Sequence, residues 1–338
     1  YNLADAYWLS RYMEYAVSIP RQAWPVLMLF NAFIMSFSMA NMAILSQYMG
    51  ARIYDKVNST ISNLFTLNVL YGVLGYGLLY FISEPLFKHV VRTPVEIFDQ
   101  TVIYVRIMGL DMVVSSFMFT ISVLLQSIGD TRTPARIQSF GAIVNAILDP
   151  FLINGYFIVP RLGVAGAAYA SILSRLFSLI ILYVVFHRRY GFIKIRFKPR
   201  IDTEWLRLTL YAGVPLYAMQ VSNMLAFIFN NSIVNSFGIV AATAMAVGFI
   251  IMDIADNVLM GFTQAATIMI GQNLGAGRRD RAREIALKSS HTLFLIIVTG
   301  AVIVYLLRKS FIQVFVVDDD VVAEADTFIS LTAISLPF

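Results

Sequence analysis

The sequence predicts an all-α integral membrane protein built as two pseudo-symmetric six-helix lobes, with twelve helices when complete and about ten represented here. Three observations carry this: long uncharged apolar runs, an alternation of charge between successive loops, and an internal repeat. Of 338 residues, 59% are hydrophobic and only 13% charged. No Asp, Glu, Lys or Arg falls between Arg21 and Arg52, between Lys56 and Glu84, or between Arg207 and Asp253. Soluble cores do not need runs of that length, whereas a bilayer needs about 20 apolar residues per helix. Strand-like alternation is absent, so the spans are helices and not barrel strands. The chain contains no Cys, which excludes disulfides and thiolate-bound metals.

In chain order the spans are the tail of span 1 (Tyr1 to Leu9), span 2 (Ala23 to Met49), span 3 (Val57 to Ser83), span 4 (Ile107 to Ile128), span 5 (Ile137 to Phe157) and span 6 (Leu162 to Phe186). Spans 7 to 10 are Leu208 to Val234, Ile239 to Ile268, Ser289 to Leu307 and Ala325 onward. The turn Asn235-Ser236-Phe237-Gly238 separates spans 7 and 8. Of the 25 Lys and Arg, 16 lie in loops after even-numbered spans, 8 in loops after odd ones, and Arg175 lies inside span 6. The positive-inside rule therefore makes the even-to-odd loops cytoplasmic. Topology accounts for the net charge of +5, and no nucleic-acid partner is expected.

Ser46-Gln-Tyr-Met-Gly-Ala51 ends span 2, and Gly271-Gln-Asn-Leu-Gly-Ala276 ends span 8 after a shift of 225 residues. The same shift carries Thr93 onto Asp318. Both read as helix N-caps, Thr93 with Pro94 and Glu96 behind it, Asp318 with Asp319 and Asp320. Two matches at one shift indicate duplication. An even number of spans separates the copies, so the lobes share one orientation about an axis along the membrane normal. Residues 1–190 form the N-terminal lobe, the basic segment 191–203 a cytoplasmic linker, and residues 204–338 a truncated C-terminal lobe. The repeat predicts about 20 residues before Tyr1 and about 75 after Phe338.

Asp149 is the most informative residue, because an acid well inside an apolar span is costly and reads as functional. Asn145 shares its helix face one turn earlier. Pro150 removes a backbone donor and crowds the carbonyl of Ala146, which predicts a kink and a freed oxygen. A carboxylate, an amide oxygen and a free carbonyl suit a small hard cation or a proton. Helical rise puts Asp5 about 6 Å from the outer end of span 1, Asp149 about 18 Å up from the inner side, and Ser171 about 14 Å down from the outer side of a core about 30 Å thick. Asp5, Asn145, Asp149 and Ser171 can converge if spans 1, 5 and 6 are neighbours, with Tyr1 one turn from Asp5. Asp111, near the outer end of span 4, reads as interfacial. Arg175 reads as a buried ion-pair partner or as snorkelling inward. Asp253 and Asp256, spaced i, i+3 on span 8, can line a cavity in the second lobe. The glycine-rich Gly271 to Gly277 lacks the Gly-Lys-Ser/Thr ending of a phosphate loop, and His89, His187 and His291 have no ligand spacing. No hydrolytic constellation is present, so the reading is not an enzyme.

These residues resemble the multidrug and toxic compound extrusion (MATE) transporters over essentially the whole chain. The likeness lies in Tyr1-Asn-Leu-Ala-Asp5-Ala-Tyr-Trp, the paired Gln-x-x-Gly-Ala helix ends, Gly129-Asp-Thr-Arg-Thr-Pro134, Asn145-x-x-Leu-Asp149 and Gly163-Val-Ala-Gly-Ala-Ala-Tyr-Ala-Ser171. The resemblance implies two lobes forming a V, efflux driven by an inward proton or sodium gradient, and a first-lobe cation site matching Asp5, Asn145 and Asp149. Ser171 stands where the family often has Thr and keeps the hydroxyl. Span 7 carries Asn230 and Asn231 but no acid, where some branches place a carboxylate.

The expected function is a cation-coupled antiporter, using protons or sodium, that exports organic, cationic or amphipathic drugs by alternating access. Sodium, if used, would be held by Asp5, Asn145, Asp149 and Ser171. No organic cofactor is expected, and the partners are small organic substrates and the lipid bilayer. The protein is expected to be a monomer in the plasma membrane. The alternatives are a flippase for lipid-linked oligosaccharide, which should carry basic groups in its cavity to meet a diphosphate, and a non-transporting membrane scaffold, which has no need of matched buried acids.

Overall fold

The computed structural model describes residues 2–13, 15–156, 160–253 and 279–335, with isolated positions at 259, 262 and 266. The described residues are helical nearly throughout. Seven helical segments among them are long and apolar enough to cross a membrane. The helices are α1 (Asn2–Ser10), α2 (Ser18–Gly50), α3 (Tyr54–Pro85), α4 (Val95–Met108), α5 (Asp111–Ser127), α6 (Arg132–Asn154), α7 (Val164–Tyr190) and α8 (Thr203–Asn235). They continue with α9 (Ile239–Asp253), α10 (Arg279–Phe315) and α11 (Asp319–Ser335).

Span 4 is longer than its charge pattern suggests. It runs over Val95–Ser127 as α4 and α5, joined at Gly109 and Leu110. The sequence reading stops it at Arg106, but that cation is satisfied by groups at the end of α3. Its guanidinium donates to Ser83 Oγ at 3.1 Å, pairs with Glu84 at 3.4 Å and lies over the Tyr80 ring. Asp111 therefore falls in the middle of a span and not at an interface, and it is only 4% exposed.

Several helix ends follow local chemistry. Asp202 caps α8 by accepting from the backbone N–H groups of Glu204 (2.9 Å) and Trp205 (3.2 Å). Asp318 does the same for α11 through Val321 N–H at 3.0 Å. Gly155, at φ +76°, ends α6 in the left-handed conformation that glycine adopts without penalty. Thr93 does not cap α4. Its N–H is drawn back to Phe87 O at 3.0 Å, closing the π-helical turn Leu86–Val91, and the extended ψ of Pro94 delays the helix to Val95. Thr93 Oγ1 is left buried without a partner.

The chain divides into two compact units, residues Tyr1–Ser236 and Phe237–Phe338. The division falls after α8, beyond the 191–203 segment, because α8 packs along α2. Trp24 meets Phe227, Phe33 meets Tyr217, and Phe37 fills the space beside Gly213. Polar pairs fix both ends of this contact. Gln22 and Asn235 exchange side-chain amide bonds at 2.6 and 2.9 Å, and Asn235 also donates to Val91 O at 2.7 Å. Toward the other end, Trp205 Nε1 donates to Asn41 Oδ1 at 2.8 Å.

The linker is held by a simple match of periods. Residues 194–198 run extended along α3, and the N–H groups of Lys194, Arg196 and Lys198 donate to Asn58 (2.9 Å), Ser62 (3.1 Å) and Thr66 (2.8 Å). Two extended residues advance roughly 6.6 Å and four helical residues about 6 Å, so the register holds for three bonds. Ile193 enters the apolar core formed with Val57, Ile61, Leu64, Leu182 and Trp205.

In the second unit α10 and α11 pack as a pair. Arg308 Nε and Asp326 Oδ1 form an ion pair at 2.7 Å, and Phe249 of α9 lies against Phe328. Many large apolar side chains remain exposed, including Leu74, Phe81, Tyr211 and Leu306, as expected of helices whose outer faces meet lipid.

Candidate cation site

The site is built where α1, α6 and α7 meet. These three helices are mutual neighbours, and α6 and α7 pack over most of their length. Small residues make this possible. A Cβ on Gly166 would collide with the backbone of α6 at Leu152 and Ile153, and Ala167 and Ala170 are fully buried beside it. The close approach of α6 and α7 brings Ser171 to Asn145.

Asn145 and Asp149 lie one turn apart on α6, and both are fully buried. The Asn145 side-chain amide donates to Asp149 Oδ1 at 3.3 Å and to Ser171 Oγ at 3.4 Å. Asp5, 4% exposed on α1, has its carboxyl within hydrogen-bonding reach of both Asp149 and Asn145. The structure thus brings Asp5, Asn145, Asp149 and Ser171 together. Three of their oxygens, Asp5 Oδ1, Asn145 Oδ1 and Asp149 Oδ2, are buried and accept no hydrogen bond from the described residues. Buried oxygens without partners are rare, because each forfeits its hydration for nothing. Two ionised carboxylates within hydrogen-bonding reach of each other also repel unless a cation, H⁺ or a metal ion, sits with them. The donor set is all oxygen, which suits sodium and a proton alike and does not suit soft metals.

The other expected residues fall in different places. Ala146 is exposed, and α6 continues through Pro150 to Asn154. Asp253 ends the described part of α9 and is partly exposed. Tyr1 and Asp256 lie outside the described residues, as does the Gly271 to Gly277 segment. Asn231 is buried on α8 with its Nδ2 unpartnered.

Tyr104, which the sequence reading did not assign, and the Asp111–Arg175 pair complete the surroundings. Tyr104, buried on α4, lies within electrostatic reach of Asp5, Asp149, Asp111 and Arg175. Arg175 is one turn beyond Ser171 on α7 and forms an ion pair with Asp111, which also accepts from Ser115 Oγ at 3.0 Å. Of the two expectations for Arg175, the ion pair is the one realised. Tyr104 was missed because Arg106 was taken as the span boundary. Had the charge been discounted, an aromatic hydroxyl inside a span would have been visible.

A multi-pass helical bundle with polar groups buried at mid-span is the architecture of a membrane transporter. The MatE family model matches residues 1–151 and 215–338, and the chain belongs to that family. It is 26% identical over 317 residues to the probable multidrug resistance protein YpnP of Bacillus subtilis, covering 91% of this chain and 68% of that protein. It is 25% identical over 331 residues to the probable multidrug resistance protein NorM of Thermotoga maritima, covering 95% and 69%. Among solved structures, an inward-facing MATE family multidrug resistance transporter of the MOP superfamily matches with a TM-score of 0.84 at 21% identity, covering 100% of this chain and 78% of that one.

Proposed function

We propose that this transporter exports organic amphipathic compounds across the plasma membrane by alternating access, driven by inward movement of a proton or sodium ion through the α1–α6–α7 cluster. The observation that carries this reading is the set of three buried oxygens on Asp5, Asn145 and Asp149 that accept no hydrogen bond from the described residues. In a membrane interior such a set is stable only with a cation or with access to water. Taking up a cation removes the repulsion between the two carboxylates, and losing it restores that repulsion. Two conformations that hold the carboxylates differently therefore shift in population with each binding event. The likeness to relatives named as multidrug resistance proteins supports export and a broad substrate range.

The lobes would be residues 1–190 and 204–338, joined by the 191–203 linker on the cytoplasmic side, with the even-to-odd loops facing the cytoplasm and the protein acting as a monomer. Asp253 and Asp256 are assigned to the cavity of the second lobe. The direct test is efflux of a fluorescent substrate from proteoliposomes with a proton or a sodium gradient imposed separately. Movement under neither gradient, with the wild-type protein folded and inserted, would reject coupling.

A further inference from the structure

A cavity of about 290 Å³ opens within the first unit, walled by α2, α5, α6 and α7. Its volume is at the lower bound of small-ligand sites, roughly 300–1,000 Å³. Met28, Met35, Met118 and Phe119 give it a soft apolar wall, and Asn31 places there an amide whose Oδ1 is buried and unpartnered. Among the described residues lining it, Arg175 is the one charged side chain.

Among the described residues, no acid of the spans lines this cavity. Asp5 and Asp149 belong to the cation cluster, and Asp111 lies behind Arg175, paired with it and held by Ser115. The pair is asymmetric: the Arg175 side chain is 31% exposed and that of Asp111 only 5%. A solute entering the cavity therefore meets the cationic end of a fixed ion pair and not its anionic end. Asp111 orients the guanidinium, whose planar fork of five donors is suited to a carboxylate. A cation in the same place would face Arg175 with no acid among the described lining residues to offset it.

We propose that Arg175 sets the charge selectivity of this cavity, which takes a flat apolar body carrying a carboxylate in preference to the same body carrying an ammonium. The methionine thioethers adapt to an aromatic ring. This rests on the transport reading above and narrows its substrate class from organic amphipathic compounds to organic acids.

The test is equilibrium binding to the full-length protein in detergent, with no gradient, of three matched probes: 1-naphthoate, 1-naphthamide and (1-naphthylmethyl)trimethylammonium. The expected order is naphthoate tightest, by about tenfold over the amide, with the ammonium weakest. Arg175→Lys should keep the preference for the acid. The double variant D111N/R175Q removes the pair without leaving a buried carboxylate exposed to no partner, and it should lose at least about tenfold in naphthoate affinity alone. Ser122→Trp, which fills the cavity, should abolish binding of all three probes. Equal or tighter binding of the ammonium, an acid preference that survives D111N/R175Q, or naphthoate binding untouched by Ser122→Trp would each overturn the assignment. Failure of coupled transport shows instead as intact probe binding without gradient-driven movement, so the two readings fail separately.

Discussion

Asn145 donates its side-chain amide to Asp149 across one turn of α6, 3.3 Å apart, and this geometry leaves the amide oxygen of Asn145 without a partner. One residue thus orients the carboxylate and supplies an oxygen of its own. Asp149→Asn should abolish gradient-driven efflux while the protein still folds, because it removes the charge and keeps the hydrogen-bonding shape. Asp5→Asn should fail similarly, and the double variant should be little worse than either single one if the two act as a unit. Efflux assays in proteoliposomes, with melting curves as the folding control, decide this. Retention of coupled efflux by Asp149→Asn would remove the cluster from the mechanism.

Ser171 distinguishes the ions. Its hydroxyl already accepts from Asn145 and adds an oxygen that sodium needs and a proton does not. Ser171→Ala should weaken sodium-driven transport by about tenfold or more and proton-driven transport much less. Measuring both gradients on the same preparation is the check; equally severe loss under both would indicate a packing defect.

Gly166 tests whether the site depends on the approach of α6 and α7. Its added Cβ would meet Ile153 N at 2.9 Å and the Leu152 carbonyl closer still, so backbone must move. Gly166→Ala should lower thermal stability by about 1–3 kcal/mol through overpacking and impair coupling together. A variant with unchanged melting and unchanged transport would mean that the helices separate at little cost.

The Gln22–Asn235 pair gives a prediction for stability. Asn235→Ala leaves both the Gln22 amide and Val91 O buried without their partner, a loss of about 1–3 kcal/mol. Replacing both amides by Leu should cost less, because no polar side chain is then stranded. A double variant less stable than Asn235→Ala would contradict this.

Asp130, in the turn between α5 and α6, links pH to stability outside the membrane. Partial burial opposes its ionisation, but hydrogen bonds from the Thr133 hydroxyl (2.7 Å) and backbone N–H (3.0 Å), with Arg189 nearby, hold its carboxyl below the ordinary value of 3.8. A lowered value means the ionised form is favoured by folding. Its contribution is present above pH 3.8 and lost as pH falls through the lower folded value. Asp130→Asn should therefore melt lower than wild type near neutral pH, and the gap should close in acid below that value. A gap independent of pH would assign the effect to shape and not charge.

Much of this arrangement was legible in the chain. Uncharged runs set the spans, because lipid leaves no other way to satisfy the backbone. Asn145 and Asp149 meet because four residues make a turn, and Asp318 caps its helix by local reach. Charge was a poor guide where a cation is paired with a neighbouring helix. Arg106 made span 4 look short, which put Asp111 at an interface and hid Tyr104. The sequence by itself determined what depends on contacts within a turn or two: the helices, their ends and the one-helix half of the site. Only the tertiary structure decided that Asp111 pairs with Arg175, that Ser171 and Asp5 reach Asn145, and that α8 lies along α2. Those contacts join residues far apart in sequence. The Ser171–Asn145 contact exists because Gly166 lets the backbones of α6 and α7 approach, a property of the packed surface and not of any single segment.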